Sequence, residues 1–228
     1  MPPAPHPFLF SQIGLDSGAL TLLGSVVHRF TKPGEYRGVA LRPNAPASVF
    51  YLTVEKDRAI NQVSIDLAAL AEPGASSQAC CTCGKMHAGP SQGHFLLGAG
   101  GYVAFHVSGG PGGFAVRLGK SADQPQPKDF DSAAITGGDL FAATILRPGR
   151  YSVKNLAQTG AQAGEIDVAY PAPGETAYQP PPPIRINCTH TGFDPAKVAL
   201  TAMQGSLFVC HVPSRLKIEL VTALDPPK

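Results

Sequence analysis

Six residues able to hold a soft metal or to react with an oxidant fall within the run ACCTCGKMHAGPSQGH: Cys80, Cys81, Cys83, Met86, His87 and His94. Thiolate, thioether and imidazole are the ligands that select copper(I) or zinc. Cys81 and Cys83 stand at Cys-x-Cys spacing, with His87 four residues later and His94 seven beyond that, a set that can close a tetrahedral Cys2His2 or Cys3His site. Standard zinc fingers space their ligands differently, with pairs about two to four residues apart and a dozen or more between pairs. The same residues read equally as disulfide formers, with adjacent Cys80 and Cys81 bonding more easily to other partners than to each other, or as an inert loop. Copper or zinc is the cofactor this segment implies if it holds one.

A second constellation lies downstream. Cys188 and His190 alternate onto one face of a candidate strand, and Cys210 and His211 fall on a nearby one. If the two strands are neighbours, Cys188 and Cys210 can form a disulfide, and this is the favoured use; the four residues can otherwise supply a second metal site. The plain alternative is that both cysteines are small buried apolar residues.

The other histidines are read as structural: His28 and His106 sit inside apolar strand patterns and His6 in a proline-rich stretch. No HExxH, GxSxG, P-loop or Rossmann glycine fingerprint is present, and LLGAGGYVAF lacks the spacing for a phosphate cradle. Asp129, Asp131 and Asp139 could work as acid and base, but beside a linker they read as solvated turn formers. A dispersed triad needs only to meet in space. Asn187-Cys188-Thr189 fits the glycosylation pattern formally and carries little weight.

The elements that must position these residues are short strands. The 25 glycines and 23 prolines of the 228-residue chain are spread along it, which breaks helices and suits many strands joined by tight turns. Branched and aromatic residues mark strands at 20–30, 48–54, 60–67, 101–107, 114–118, 140–146, 150–156, 164–170, 184–188, 196–201, 206–212 and 215–221. GYVAFHV and FAVRL flank a glycine-rich loop in the pattern of a hairpin. The stretch 57–71 divides: Ile60, Val63, Leu67 and Leu70 recur at helical spacing, while Val63, Ile65 and Leu67 alternate as in a strand.

The expected fold class is therefore all-β, a β-sandwich of two packed units with Pro/Gly-rich connections. The boundaries are an N-terminal β domain over 1–120, a linker over 121–129, and a C-terminal β unit over 130–228 that contains the proline-rich connection 171–183. FTKPGEYRGVAL at 30–41 and ILRPGRYSVKNL at 145–156 share a Pro-Gly-x-Tyr core, which suggests duplicated β-units or the chance recurrence of a good turn followed by a good strand starter. The 45 residues after the prolines are too few for an independent core and must dock on what precedes them.

That last segment, with Phe193, Pro195 and Gly205 in IRINCTHTGFDPAKVALTAMQGSLFVCHV, resembles the opening half of a cupredoxin, and 139–171 with its Pro-Gly-x-Tyr strand entry resembles the closing half, in reversed order. The resemblance covers about a third of the chain and implies a cupredoxin-like sandwich; an immunoglobulin-like one fits the strand pattern as well. Cupredoxins carry copper ligands shortly after that Tyr. Here Asn155 and Gln158 stand in that loop and offer neither thiolate nor imidazole, so the family's copper site is not matched.

Composition narrows the function. Charged residues make up 15% of the chain, well under the usual quarter or so, and 18 basic against 16 acidic residues leave a net charge of +2. There is no basic cluster for nucleic acid and no apolar run of the roughly 18 residues needed to span a bilayer. The opening MPPAPHPFLFSQIG has no basic n-region and reads as no signal peptide, so an extracytoplasmic home would require a mature form. The expectation is a non-enzymatic β-sandwich subunit that binds a protein partner or assembles with copies of itself. Its rival is a copper- or zinc-binding protein, for metal handling or electron transfer, that uses the Cys80–His94 loop.

Overall fold

In the computed structural model, which describes residues 13–71, 93–120, 129–171 and 178–224, the chain is almost entirely strand. The first half contributes β1 (Gly14–Asp16), β2 (Gly24–Phe30), β3 (Gly34–Leu41), β4 (Ser48–Glu55), β5 (Gln62–Asp66), the short helix α1 (Leu67–Ala71), β6 (Gly93–Gly98), β7 (Gly101–His106) and β8 (Ala115–Gly119). The second contributes β9 (Phe130–Asp131), β10 (Leu140–Thr144), β11 (Gly149–Asn155), β12 (Gly164–Ala169), β13 (Ile184–Thr189), β14 (Gly192–Asp194), β15 (Lys197–Thr201), β16 (Gly205–Cys210) and β17 (Leu216–Ala223). Alternation drives them: β16 buries Ser206, Phe208 and Cys210 and leaves Leu207 and Val209 half-buried on the other face.

Three sheets result. A seven-stranded sheet runs β14-β13-β16-β10-β2-β7-β5, and two five-stranded sheets run β6-β4-β3-β8-β9 and β1-β17-β11-β12-β15. Their inward faces share an apolar core that includes Phe50, Phe105, Phe141 and Phe208, all fully buried, as a β-sandwich requires.

The two halves are built on one plan. Antiparallel β3–β4 and parallel β4–β6 in the first half correspond to antiparallel β11–β12 and parallel β12–β15 in the second. Parallel β5–β7 and antiparallel β2–β7 likewise correspond to parallel β13–β16 and antiparallel β10–β16. Residues 15–40 align with 130–155 without a gap, pairing Leu15-Asp16-Ser17 with Phe130-Asp131-Ser132 and Tyr36 with Tyr151. The halves meet where β2 pairs antiparallel with β10, and Val26 lies opposite Phe141, its own counterpart under that alignment. A local two-fold axis passes through this pair.

Each half also lends its first strand to the other. β1 pairs with β17 and β9 with β8, and matching bonds secure both exchanges. The Ser17 hydroxyl accepts from Leu216 N at 3.0 Å and the Ser132 hydroxyl from Val116 N at 2.9 Å. Both aspartates are also in ion pairs, though at different positions: Asp131 pairs with its register partner Arg117 at 2.9 Å, and Asp16 with Arg215, two residues before its register partner Lys217, at 3.1 Å. The borrowed strands cap edges that would otherwise present unpaired backbone groups.

The Pro-Gly-x-Tyr motif recurs as structure. The Tyr36 hydroxyl donates to Lys32 O at 2.8 Å and the Tyr151 hydroxyl to Arg147 O at 2.7 Å. Gly34 and Gly149 take φ of 144° and 154°, a region that favours glycine. Burial raises both phenols above the ordinary tyrosine range, so both stay neutral donors. Tyr36→Phe and Tyr151→Phe are each expected to destabilise by about 1 kcal/mol, one hydrogen bond's worth. The two losses should match in guanidinium unfolding; a null effect at one site alone would break the equivalence.

Three strand-level expectations change. The 101–118 hairpin does not form: β7 lies in the seven-stranded sheet and β8 in a five-stranded one. The intervening loop, with Gly110, Gly112 and Gly113 at positive φ, crosses between layers instead of folding back. The divided stretch 57–71 is both strand and helix, because the Asp66 carboxylate accepts from Ala68 N at 3.0 Å and caps α1. Strand β3 is not among the strands expected from the sequence. Gly38 is there because the Phe50 ring fills the space a Cβ would take.

Candidate functional site

The inward face of the seven-stranded sheet is apolar except for Ser206, whose hydroxyl donates to Ala143 O at 3.0 Å, and one row. Cys188 on β13 lies opposite Cys210 on β16, in parallel register. Cys210 N donates to Asp139 O at 3.0 Å, which sets Asp139 across from it at the mouth of β10. One position beyond the Leu140–Val27 pair, Asp139 Oδ1 lies 2.6 Å from His28 Nδ1 on β2. Four adjacent strands thus bring Cys188, Cys210, Asp139 and His28 into a line, and the alternation of each strand turns all four side chains toward the core.

Burial is nearly complete. Cys188, Cys210 and Asp139 are 1%, 0% and 3% exposed, and the His28 side chain 17%. Asp139 Oδ2 accepts from Thr136 N at 2.9 Å, so both carboxylate oxygens are bonded. The His28 ring lies edge-on to Phe30 at 4.6 Å and tilted against Phe130 at 4.8 Å. Phe130 belongs to the lent strand β9, so the exchange also closes this end of the row.

At the other end both cysteines are thiols. The hydrogen bond to Cys210, together with burial, pushes the Cys188 thiol well above the ordinary range, so it stays protonated. Cys210 also meets the Ser214 hydroxyl, which donates to Val212 O at 2.8 Å and accepts from Asn155 Nδ2 at 3.0 Å.

The local two-fold supplies a control. Extending the same registers places Leu67, Val107, Gly24 and Ala143 at the twin positions of Cys188, Cys210, Asp139 and His28. The twin row is wholly apolar, and Leu67 and Val107 are buried like the cysteines. The fold can therefore be built without this polar row. A buried carboxylate and two small thiols fill it at a cost in desolvation and packing that the twin half does not carry.

Of the first metal set, Cys80, Cys81, Cys83 and His87 lie outside the described residues. His94 is exposed on β6, its ring stacked on Tyr51 of β4 at 5.1 Å. The second set divides. Cys188 and Cys210 meet in the core, but as free thiols and not as the expected disulfide, whereas His190 lies exposed in the turn after β13, and exposed His211 places Nε2 3.3 Å from Asn187 Oδ1. Among the described residues, no three of His, Cys, Asp and Glu come together in a way that could hold a metal.

Asp139 departs from its reading, whereas His28 lies in an apolar strand as its pattern suggests. Asp139 is no solvated turn former, because the β2–β10 junction carries it inside against His28. Asp129 does act as a turn former, accepting from Lys120 N at 2.8 Å. Asn155 is structural: its Oδ1 accepts from Ala157 N at 3.1 Å and Arg215 N at 3.0 Å. The row went unseen because its members are far apart in sequence; comparing 15–40 with 130–155 would have exposed Asp139 opposite Gly24 and His28 opposite Ala143.

Among the described residues no helix is long and apolar enough to cross a membrane. Comparisons of the chain with family models, curated proteins and solved structures return no match.

Proposed function

We propose that this chain is a non-enzymatic β-sandwich subunit that works by association, docking the outer face of its seven-stranded sheet onto a second copy of itself. The observation that carries this reading is the composition of that face. Across its central strands it presents Leu207 and Val209 of β16, Leu140 and Ala142 of β10, Val27 of β2 and Ala104 of β7, interrupted by Ser25 and Arg29 of β2 and His106 of β7. Its ends are polar, with Arg185 and Asn187 on β13 and Ser64 and Asp66 on β5.

Charge and area favour a second copy. Arg185 and Asp66 stand at opposite ends of one cross-strand row, through Leu207, Ala142, Ser25 and His106. A copy turned about an axis along β2 and β10 sets Arg185 over the other molecule's Asp66, twice. Asp66 stays ionised there: burial works against it, but bonds from the Ser108 hydroxyl and amide and the Ala68 amide outweigh that and lower its pKa. Tyr102, 42% exposed under the Arg29 guanidinium at 5.7 Å, adds the residue types that dominate interface energetics. Strand spacings of about 4.8 Å and rises of about 3.3 Å per residue make the face roughly 500–600 Å² per copy. Two such faces bury about 1,000 Å² in total, which reaches the lower bound for a specific interface. The low charge content of the whole chain agrees with a face that spends its working life covered. A cupredoxin-like ancestry for each half, with its copper loop replaced by structural residues such as Asn155, is part of the same proposal.

Sedimentation over a concentration series tests it. The wild-type chain should be a dimer at micromolar concentration, and Ala142→Arg, in the middle of the face, should give a monomer with unchanged β-sheet circular dichroism. Arg185→Glu should weaken association about two- to fivefold, as expected for a rim charge. A wild type that stays monomeric, or an Ala142→Arg chain that dimerises like it, refutes the reading.

A further inference from the structure

We infer that Cys188 and Cys210 are a site of reversible covalent modification: an S–S cross-link between β13 and β16, made by exchange with a small-molecule disulfide such as oxidised glutathione. The two residues are direct partners on neighbouring parallel strands, with both side chains on the inward face. Strand spacing of about 4.8 Å puts their Cα atoms within the roughly 4.4–6.8 Å window for cross-linking without backbone movement.

The twin half says what the cysteines are for. Leu67 and Val107 fill the equivalent places and are as well buried, so the fold packs there with branched aliphatics. Cysteine is smaller than either and adds no packing. What it adds is the capacity to form a bond, which Leu and Val lack.

The position also needs a tie. β13 lies next to the sheet edge, covered there only by the three residues of β14. It follows Pro180–Pro183, which have no backbone N–H to donate and are held through Pro182 O, which accepts from Gln204 Nε2 at 2.8 Å. In the twin half the chain after β5 is held by α1, which buries Leu67 and Leu70. The cross-link replaces that anchor with a covalent one.

The chemistry balances with the named oxidant. One protein thiolate attacks the glutathione S–S bond and releases one glutathione thiol, leaving a mixed disulfide; the second protein thiolate then displaces the other glutathione. Two protein thiols and one glutathione disulfide become one protein disulfide and two glutathione thiols, with two electrons and two protons transferred. Because both thiols are 1% exposed or less, exchange occurs while the chain folds or when β13 lifts from the sheet, and the closed sheet then shields the bond.

The test uses the full chain with Cys80, Cys81 and Cys83 replaced by Ser, so that only the core pair can react. Refolding from guanidinium with oxidised and reduced glutathione should yield a peptide map linking Cys188 to Cys210, with both thiols lost. The unfolding midpoint should rise by roughly half to one molar guanidinium over the reduced form, since closing a loop of this length stabilises the fold. Adding Cys188→Leu and Cys210→Val, the twin residues, should give a chain that folds and whose midpoint ignores glutathione. Two thiols still open to alkylation after oxidative refolding, glutathione held on one cysteine without the cross-link, or a midpoint rise persisting in the Leu/Val chain would each overturn the inference.

Discussion

Replacing Asp139 by Ala is expected to destabilise the chain by about 2–4 kcal/mol. The substitution strands two donors at once: Thr136 N, 2.9 Å from Oδ2, and the His28 Nδ1, 2.6 Å from Oδ1. With Asp139 3% exposed, little water can take the carboxylate's place. The twin half supplies the second arm of the experiment, because Gly24 and Ala143 occupy the equivalent positions. Once His28→Ala is present, Asp139→Gly should cost far less than it does alone, giving a coupling of about 1–3 kcal/mol in a double-mutant cycle. Urea unfolding at constant slope measures all four chains. An Asp139→Ala loss under about 1 kcal/mol would mean that the row is ordinary solvated structure.

Phe141→Ala should cost about 3–5 kcal/mol. Phe141 is fully buried where the local two-fold crosses the seven-stranded sheet, opposite Val26 and stacked on Phe208 at 6.0 Å. A cavity there is lined by both halves, and strand pairing on either side limits collapse. Since whole domains are stable by only about 5–15 kcal/mol, the Ala chain sits near the edge of folding, and Phe141→Val, which copies Val26, gives the graded comparison. The Val chain should melt between wild type and Ala. If both variants melt with the wild type, the halves do not depend on their shared seam.

The all-β class was legible because Gly and Pro punctuate every stretch and because runs such as SLFVC alternate cleanly. Strand β3 was not, since Gly38 looks like a breaker until Phe50 is seen to need its space. The 101–118 hairpin misled for a related reason: a glycine-rich loop permits a sharp reversal and permits a layer change equally, and pairing with β2 and β3 decided between them. At the candidate site, the Cys188–Cys210 contact was anticipated from neighbouring strand patterns, whereas Asp139 and His28 were not. Their meeting depends on the register of β2 against β10, which no local pattern encodes. The Pro-Gly-x-Tyr echo held the key: it reads as duplicated β-units or as a chance turn, and it lies near the end of a 26-residue alignment (15–40 with 130–155) that its short core does not reveal.

The lending of first strands has a consequence for how the molecule is made. Among the described strands β1 is synthesised first and its partner β17 last, with Asp16 waiting for Lys217. At about 5–20 residues per second, that wait on a ribosome lasts some 10–40 seconds, and the Leu15 edge stays uncovered throughout. β9 has no such delay, because β8 precedes it by only a few residues. Assembly is therefore ordered in time although the finished halves match: the first sandwich can close as soon as β9 arrives, and the second cannot close until β17 returns to β1.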